Sequence, residues 1–342
     1  MPRGDIPYGL GYKPPPMTVL VTGAAGFIGF HTALALLRRG ETVIGIDNLN
    51  DYYAVALKDA RRAELEQLPG FRFFRLDLAE RGALAKLVAD NKGIDRVVHL
   101  AAQAGVRYSL INPHAYISAN IAGQLEILEA CRHLTGLKHL VYASSSSVYG
   151  GNTKLPFAVE DTVDTPQSLY AATKKADELM GHCYAHLFRV KMTGLRFFTV
   201  YGPWGRPDMA AWLFVKAILE NKPIQIFNHG KMKRDFTYID DVVAGVLACL
   251  AKPPEDDGVN APHRVYNLGN HQSEDLERFI QVIENTLGRK AIREMLPMQP
   301  GDVPATYADI AAAQRDFGFQ PATGIDQGIP RFVEWYRAYH GM

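Results

Sequence analysis

Residues 22–29 read "TGAAGFIG", with Gly23, Gly26 and Gly29 set between an apolar run, "TVLVTG", and a helix-length stretch, "AAGFIGFHTALALLRRG". A glycine turn at this junction lets the chain reverse tightly, lets a pyrophosphate approach the backbone and presents helix N-terminal amides to it. Close packing of a helix on a strand also calls for glycine, so the turn alone leaves both readings open. The next apolar run, "TVIGID", ends at Asp47, about twenty residues on, where a carboxylate can accept the hydroxyls of an adenosine ribose. Turn and carboxylate together mark a dinucleotide site. The same carboxylate repels a 2′-phosphate, which favours NAD over NADP.

Further β-branched runs, "RFFRLDL", "DRVVHLAA", "HLVYASSSS" and "KMTGLRFF", follow at helix-length spacing. Strands alternating with helices in this way predict α/β architecture, a doubly wound parallel sheet of the Rossmann type covered on both faces. After Val200 the rhythm loosens into "YGPWGRPDMA", a helix-like "AWLFVKAILENK" and "PIQIFNHGKMKRDFTYIDD". We expect residues 17–197 to form the cofactor-binding domain, with 238–266 returning to it, and 198–342 to form mainly a smaller substrate-binding region. The Gly- and Pro-rich lead-in, residues 1–16, is expected to be a disordered extension outside the fold.

The chain has 342 residues and a net charge of +1 from 37 basic and 36 acidic side chains, so no whole-chain field draws it to nucleic acid or an anionic membrane. A small-molecule ligand is the expectation. No apolar run approaches the ~18 to 20 residues of a membrane helix, and the N-terminus lacks the apolar stretch of a secretory signal. Cys131, Cys183 and Cys249 are widely spaced and odd in number. That usage predicts buried thiols in a reducing, cytoplasmic compartment, with neither a disulfide framework nor a metal site.

"SLYAATKKAD" places Tyr170 and Lys174 at i and i+4, on one helical face. Upstream, "YASSSSVYG" sets four serines where a strand ends. A free phenol titrates near 10, so a tyrosine base needs adjacent positive charge, which Lys174 and an oxidised nicotinamide both provide. A serine hydroxyl from the strand end then bridges the phenol and a substrate hydroxyl. A Tyr-x-x-x-Lys spacing by itself usually means only an amphipathic helix; it acquires chemical meaning here from the dinucleotide fingerprint and the serines.

With these motifs in place, the chain from Met17 to its C-terminal helix resembles the extended short-chain dehydrogenase/reductases that act on nucleotide sugars. The resemblance implies that Phe27 and Ile28 also line the pyrophosphate turn, that Asn48 assists Asp47, and that Asp77 and Leu78 of "RLDL" hold the adenine. It implies that Leu100, Ala101, Ala102 and Asn120 line the cofactor further along, with Ser145, Tyr170 and Lys174 as the catalytic set. The uridine diphosphate contacts implied are Phe227, Arg234 of "KRDF" and Asp302 of "QPGDVP". It further implies a homodimer joined through helices around 116–133 and 170–188.

Members of that family that eliminate water or carbon dioxide are similar to one another in carrying an acid just before the Val-Tyr-Gly of the serine strand; this chain has Ser147 there. Oxidation at C4 and return of hydride to the other face, a 4-epimerisation, is then the simplest cycle. Neutral-sugar members look like Phe-Asn where this chain has Phe-Thr. Thr199 and Arg206 lie at and beyond a strand's carboxyl end, and a guanidinium fork beside a hydroxyl matches a carboxylate. The segments "DNLNDYY", "AAQAGVRYS" and "RFFTVYGPWGRPDMA" resemble members that interconvert UDP-glucuronate and UDP-galacturonate. A UDP-uronic acid is therefore the expected substrate, its carboxylate held by Thr199, Arg206, Ser146 and Ser147, with Arg107 of "GVRYS" as a second cation within reach. The alternatives are a UDP-glucuronate decarboxylase, which Ser147 speaks against, a neutral UDP-sugar epimerase, which Thr199 and Arg206 disfavour, and a non-catalytic dinucleotide-binding regulator, which the intact Tyr-Lys pair and glycine turn disfavour.

Overall fold

In the computed structural model, which describes residues 17–342, twelve strands follow one another along the chain. They are β1 (Thr18–Thr22), β2 (Thr42–Asp47), β3 (Phe71–Arg75), β4 (Arg96–His99), β5 (His139–Ser145), β6 (Met192–Phe197), β7 (Thr199–Tyr201), β8 (Pro223–Ile226), β9 (Lys233–Tyr238), β10 (His263–Leu268), β11 (Ser273–Asp275) and β12 (Ile292–Met295). The expectation for residues 1–16 lies outside the described residues.

Seven of the strands form one all-parallel sheet in the order β10-β6-β5-β4-β1-β2-β3. Parallel strands need helical crossovers, which cover both faces; Val19, Val21, Val97, Val98, Leu140 and Val141 are accordingly buried with no polar alternation. The chain winds outward from β1 to β3 in one direction and from β4 to β6 in the other. Between β1 and β4 the winding reverses, and the loops at the carboxyl ends part there to leave a crevice. Helix Phe27–Arg38 starts on the glycine turn after β1, and helix Ile239–Leu250 packs against it before β10 joins the sheet beside β6.

Thr199 does not end the strand that precedes it, as the sequence suggested. Phe198 gives its amide to the Leu268 carbonyl, and Thr199 then opens β7 in a second, three-stranded sheet, β11-β9-β7. One hydrophobic core runs from Val19 and Phe30 through Val200 and Tyr201 to Phe279, Phe332 and Tyr336, so both sheets share it. Cys131 and Cys249 are buried, but Cys183 is exposed, because its position on helix Leu169–Phe188 faces away from the sheet. Among the described residues no helix is long and apolar enough to cross a membrane.

Candidate active site

The glycine turn forms one end of the crevice. Gly23 has φ +69°, and a Cβ there would sit 2.8 Å from the Ala101 amide; a Cβ on Gly29 would strike the Gly23 carbonyl. Gly26 caps helix Phe27–Arg38 without a side-chain hydrogen bond, so the first-turn amides remain available to an anion. Asp47 accepts from the Leu49 amide (2.9 Å) and the Ala25 amide (3.2 Å), which fixes the carboxylate beside the turn. Asn48 donates to Asp77 (3.1 Å), and Phe27, Ile28, Leu78, Leu100, Ala101 and Ala102 line the same cleft.

Asn120 does not reach the cleft surface. It is 1% exposed, within the π-wound stretch Ile117–Ala122, and exchanges hydrogen bonds with the Gln103 backbone while donating to Thr173 (2.9 Å). Its amide braces the segment after β4 against helix Leu169–Phe188, so that the contact the resemblance implied is replaced by support from behind.

Tyr170 and Lys174 line the cleft from that helix, whose first turn is capped by Ser168 accepting from the Ala171 amide (3.1 Å). The Lys174 ammonium donates to the Ala143 carbonyl (2.9 Å) and to Asp177 Oδ2 (3.0 Å), which leaves one N–H for a ligand. Asp177 is buried and its Oδ1 has no partner among the described residues; burial pushes the carboxyl up to about 6, with Lys174 pulling the other way.

Of the four serines, Ser144 and Ser145 line the cleft from the strand end. Ser145 accepts from the Ser147 amide (3.2 Å) and donates to its hydroxyl (3.1 Å). Ser144 also donates, at 2.6 Å, to Glu178, which is held bidentate by Arg196 at 2.8 Å and 2.8 Å. Ser146 and Ser147 form the short 3₁₀ turn Ser146–Tyr149 that closes the strand end.

Arg206 lines the cleft beside Met209, and Thr199 lines a small adjoining cavity that shares Arg206, Met209 and Val200 with the cleft. One edge of the fork is already taken. Asp208 occupies its Nε–Nη2 edge at 3.0 and 2.5 Å, and the Tyr52 hydroxyl donates to the same carboxylate at 2.9 Å. Burial works against the guanidinium charge, but Asp208 outweighs it and raises the pKa above the usual arginine value. The implied uridine diphosphate contacts gather in a second cluster. Arg107 pairs with Asp302 (2.9 Å) and lies 4.2 Å over the Phe227 ring, while Arg234 donates to the Lys233 and Pro304 carbonyls.

Sequence reasoning missed Tyr52, Asp208, Lys58 and Arg61. Lys58 lines the cleft and is held by the Asn50 carbonyl (2.7 Å) and side chain (2.6 Å); burial lowers its pKa, with Asp47 opposing. Arg61 is wholly buried and donates to the carbonyls of Ala25, Trp204 and Gly205 and to the Tyr53 hydroxyl. A signal existed for these two: Leu57, Lys58, Arg61 and Leu65 form the buried stripe of helix Val55–Glu66, and two cations on such a stripe call for partners.

The model of the NAD dependent epimerase/dehydratase family matches residues 19–269. A probable UDP-glucuronate 4-epimerase of Rhizobium meliloti (strain 1021) is 47% identical over 94% of this chain and 97% of its own length. UDP-glucuronate 4-epimerase 4 of Arabidopsis thaliana is 49% identical over 95% of this chain and 76% of its own length. Among solved structures, the UDP-glucuronic acid 4-epimerase of Bacillus cereus in complex with UDP-glucuronic acid and NAD superposes with a TM-score of 0.86 at 37% identity, covering 94% of this chain and 100% of that one.

Proposed function

The chain belongs to the NAD dependent epimerase/dehydratase family, and on that premise we propose that it interconverts UDP-glucuronate and UDP-galacturonate by inversion at C4. One observation carries the reading: a guanidinium, Arg206, stands on the wall of the same cleft as Ser145, Tyr170 and Lys174.

The uncapped helix N-terminus at Gly26, the Asp47 carboxylate and the free N–H of Lys174 fit a dinucleotide. NAD supplies, when bound, a reversible hydride acceptor for C4. The Tyr170 phenol oxygen takes the proton of the C4 hydroxyl and later returns it to the opposite epimer. Lys174, held by Ala143 and Asp177, keeps its charge near that phenol, and the Ser145 hydroxyl holds the C4 oxygen. Phe227, Arg234 and Asp302, with Arg107 beside them, take the uridine diphosphate.

Once C4 is a ketone, the C6 carboxylate belongs to a β-keto acid, which loses carbon dioxide when its breaking bond aligns with the carbonyl π system. Arg206, Thr199, Ser146 and Ser147 hold the carboxylate out of that alignment while the ring turns over. Restraint of orientation is what separates this reaction from decarboxylation. We read the enzyme as cytoplasmic and homodimeric, with 17–197 and 238–266 holding the cofactor and the remainder mainly the sugar nucleotide. Exposed Ile117, Leu125, Leu179, Leu187 and Phe188 on the two helical stretches supply an apolar surface for the dimer.

The test is to incubate the protein with UDP-glucuronate and NAD and to identify the sugar nucleotides by chromatography with mass detection. An isobaric product without net NADH is expected, whereas a product lighter by carbon dioxide would reassign the reaction. Arg206→Ala should weaken uronate binding by about 2 to 5 kcal/mol and divert some turnover to pentose.

A further inference from the structure

The segment "DNLNDYY" contains two tyrosines for which neither the cofactor nor the catalytic step gives a role. The loop is built from successive turns in which Asp47, Asn48 and Asn50 side chains accept from the amides of Leu49, Asn50 and Tyr52, and Lys58 pins Asn50 from below. The turns deliver Tyr52 to Asp208, 156 residues away in sequence, and Tyr53 to Arg61.

We propose that Tyr52 and Asp208 are positioning residues that fix which edge of the Arg206 guanidinium meets the substrate carboxylate. This rests on the reading of Arg206 given above. Asp208 takes the Nε–Nη2 edge, and the Tyr52 hydroxyl donates to Asp208 at 2.9 Å. Nη1 makes no hydrogen bond among the described residues, and Arg206, unlike Asp208, lines the cleft. Asp208 closes the occupied edge to substrate, and the unoccupied one is left for it. Tyr52 is itself held: its ring packs 4.8 Å from that of Tyr108, and its hydroxyl lies 2.6 Å from where a Cβ on Gly105 would stand. Tyr53 reinforces the same loop through Arg61, which grips the Trp204 and Gly205 carbonyls.

A guanidinium with one edge fixed presents the other in one plane, and a carboxylate paired with it inherits that plane. Released from Asp208, the arginine rotates with its ligand, and the C5–C6 bond of the 4-keto sugar reaches alignment with the carbonyl. That bond then breaks, its electron pair enters the C4 carbonyl to give an enol that takes a proton at C5, and carbon dioxide leaves. The hydride taken from C4 stays on NAD as NADH.

The experiment compares Tyr52→Phe, Asp208→Asn and Arg206→Ala. In a Tyr170→Phe background, which cannot take the C4 proton, calorimetric titration with UDP-glucuronate should show roughly tenfold weaker binding for Tyr52→Phe and Asp208→Asn, the ratio that losing a hydrogen bond to a charged group produces. Titration with UDP, which has no carboxylate, should be unchanged. With Tyr170 restored, both variants should release more of the 4-keto pentose product, lighter than UDP-glucuronate by carbon dioxide and two hydrogens, and accumulate NADH. Unchanged uronate affinity and an unchanged product ratio in Tyr52→Phe would overturn the proposal, and so would tighter binding by Asp208→Asn, which would make Asp208 a competitor. If Arg206→Ala also binds UDP-glucuronate normally, the fault lies in the reading of Arg206 itself.

Discussion

Replacing Glu178 by alanine strands a guanidinium. Arg196 is 4% exposed, and apart from the two 2.8 Å bonds to Glu178 its polar contacts are the Tyr149 hydroxyl at 3.0 Å and the Val159 carbonyl at 3.4 Å. Removing one partner of such a buried pair costs about 3 to 5 kcal/mol, because the remaining charge keeps its desolvation penalty without its compensation. For a chain of 342 residues the unfolding entropy is roughly 0.7 kcal/mol/K, so the melting point should fall by about 4 to 7 °C. The assay is thermal unfolding followed by circular dichroism, at fixed NAD and a matched scan rate. Converting both partners to methionine removes both charges, and the double variant should return to within about 1 kcal/mol of the parent. A double variant as unstable as Glu178→Ala would refute the argument. The cost would then lie in the lost hydrogen bond of Ser144 to Glu178, not in the unpaired charge.

Gly29→Ala should cut NAD affinity at least roughly tenfold by calorimetry, because its Cβ meets the Gly23 carbonyl and the pyrophosphate turn must open to admit it; near-normal affinity would mean that the turn yields freely. His139 gives the protein an acid-side liability. Its Nδ1 donates to the Leu250 carbonyl (3.2 Å), so its Nε2 accepts from Thr193 (2.9 Å) and the ring is neutral, with burial holding its pKa at about 4. An unfolded histidine titrates near 6.5, so the unfolded chain binds a proton that the fold refuses, and stability falls as pH drops from about 6.5 towards 4. Urea midpoints at pH 7 and pH 5 should show the parent losing about 2 kcal/mol more than His139→Gln over that interval; parallel losses would contradict the assignment.

Much of the large sheet and of the cleft's lining was legible because the signals are local. A glycine turn, a carboxylate at the end of the next strand and a Tyr-Lys pair one helical turn apart each lie within a single element or junction. Contacts between elements far apart in sequence were less accessible. Arg206 could be picked out as a cation beside a strand end, but its pairing with Asp208 and Tyr52 depends on how the loop after β2 meets the loop after β7. Arg107 was read as a cation within reach of the carboxylate, yet it lies against Asp302 and Phe227, which the resemblance had assigned to the nucleotide. The resemblance implies Asn120 as a lining residue; its side chain turns inward to satisfy Gln103 and Thr173. Residue type and spacing locate a segment well, whereas the direction of a side chain is decided by its competition for hydrogen-bond partners.

The late arrival of β10 has a consequence for synthesis. While the ribosome is still translating the region after Phe197, the first six strands of the large sheet can already pair, but β6 stands at an open edge until His263–Leu268 lies beside it. The 65 residues from 198 to 262 separate the two strands, roughly 3 to 13 s of elongation at 5 to 20 residues per second. For that interval the nascent chain carries a buried-type strand, Met192–Phe197, with one row of amides and carbonyls bare, the geometry that recruits a neighbouring polypeptide. Slow codons or a pause within this stretch would lengthen the exposure, so yield in expression should depend on how quickly the ribosome crosses it.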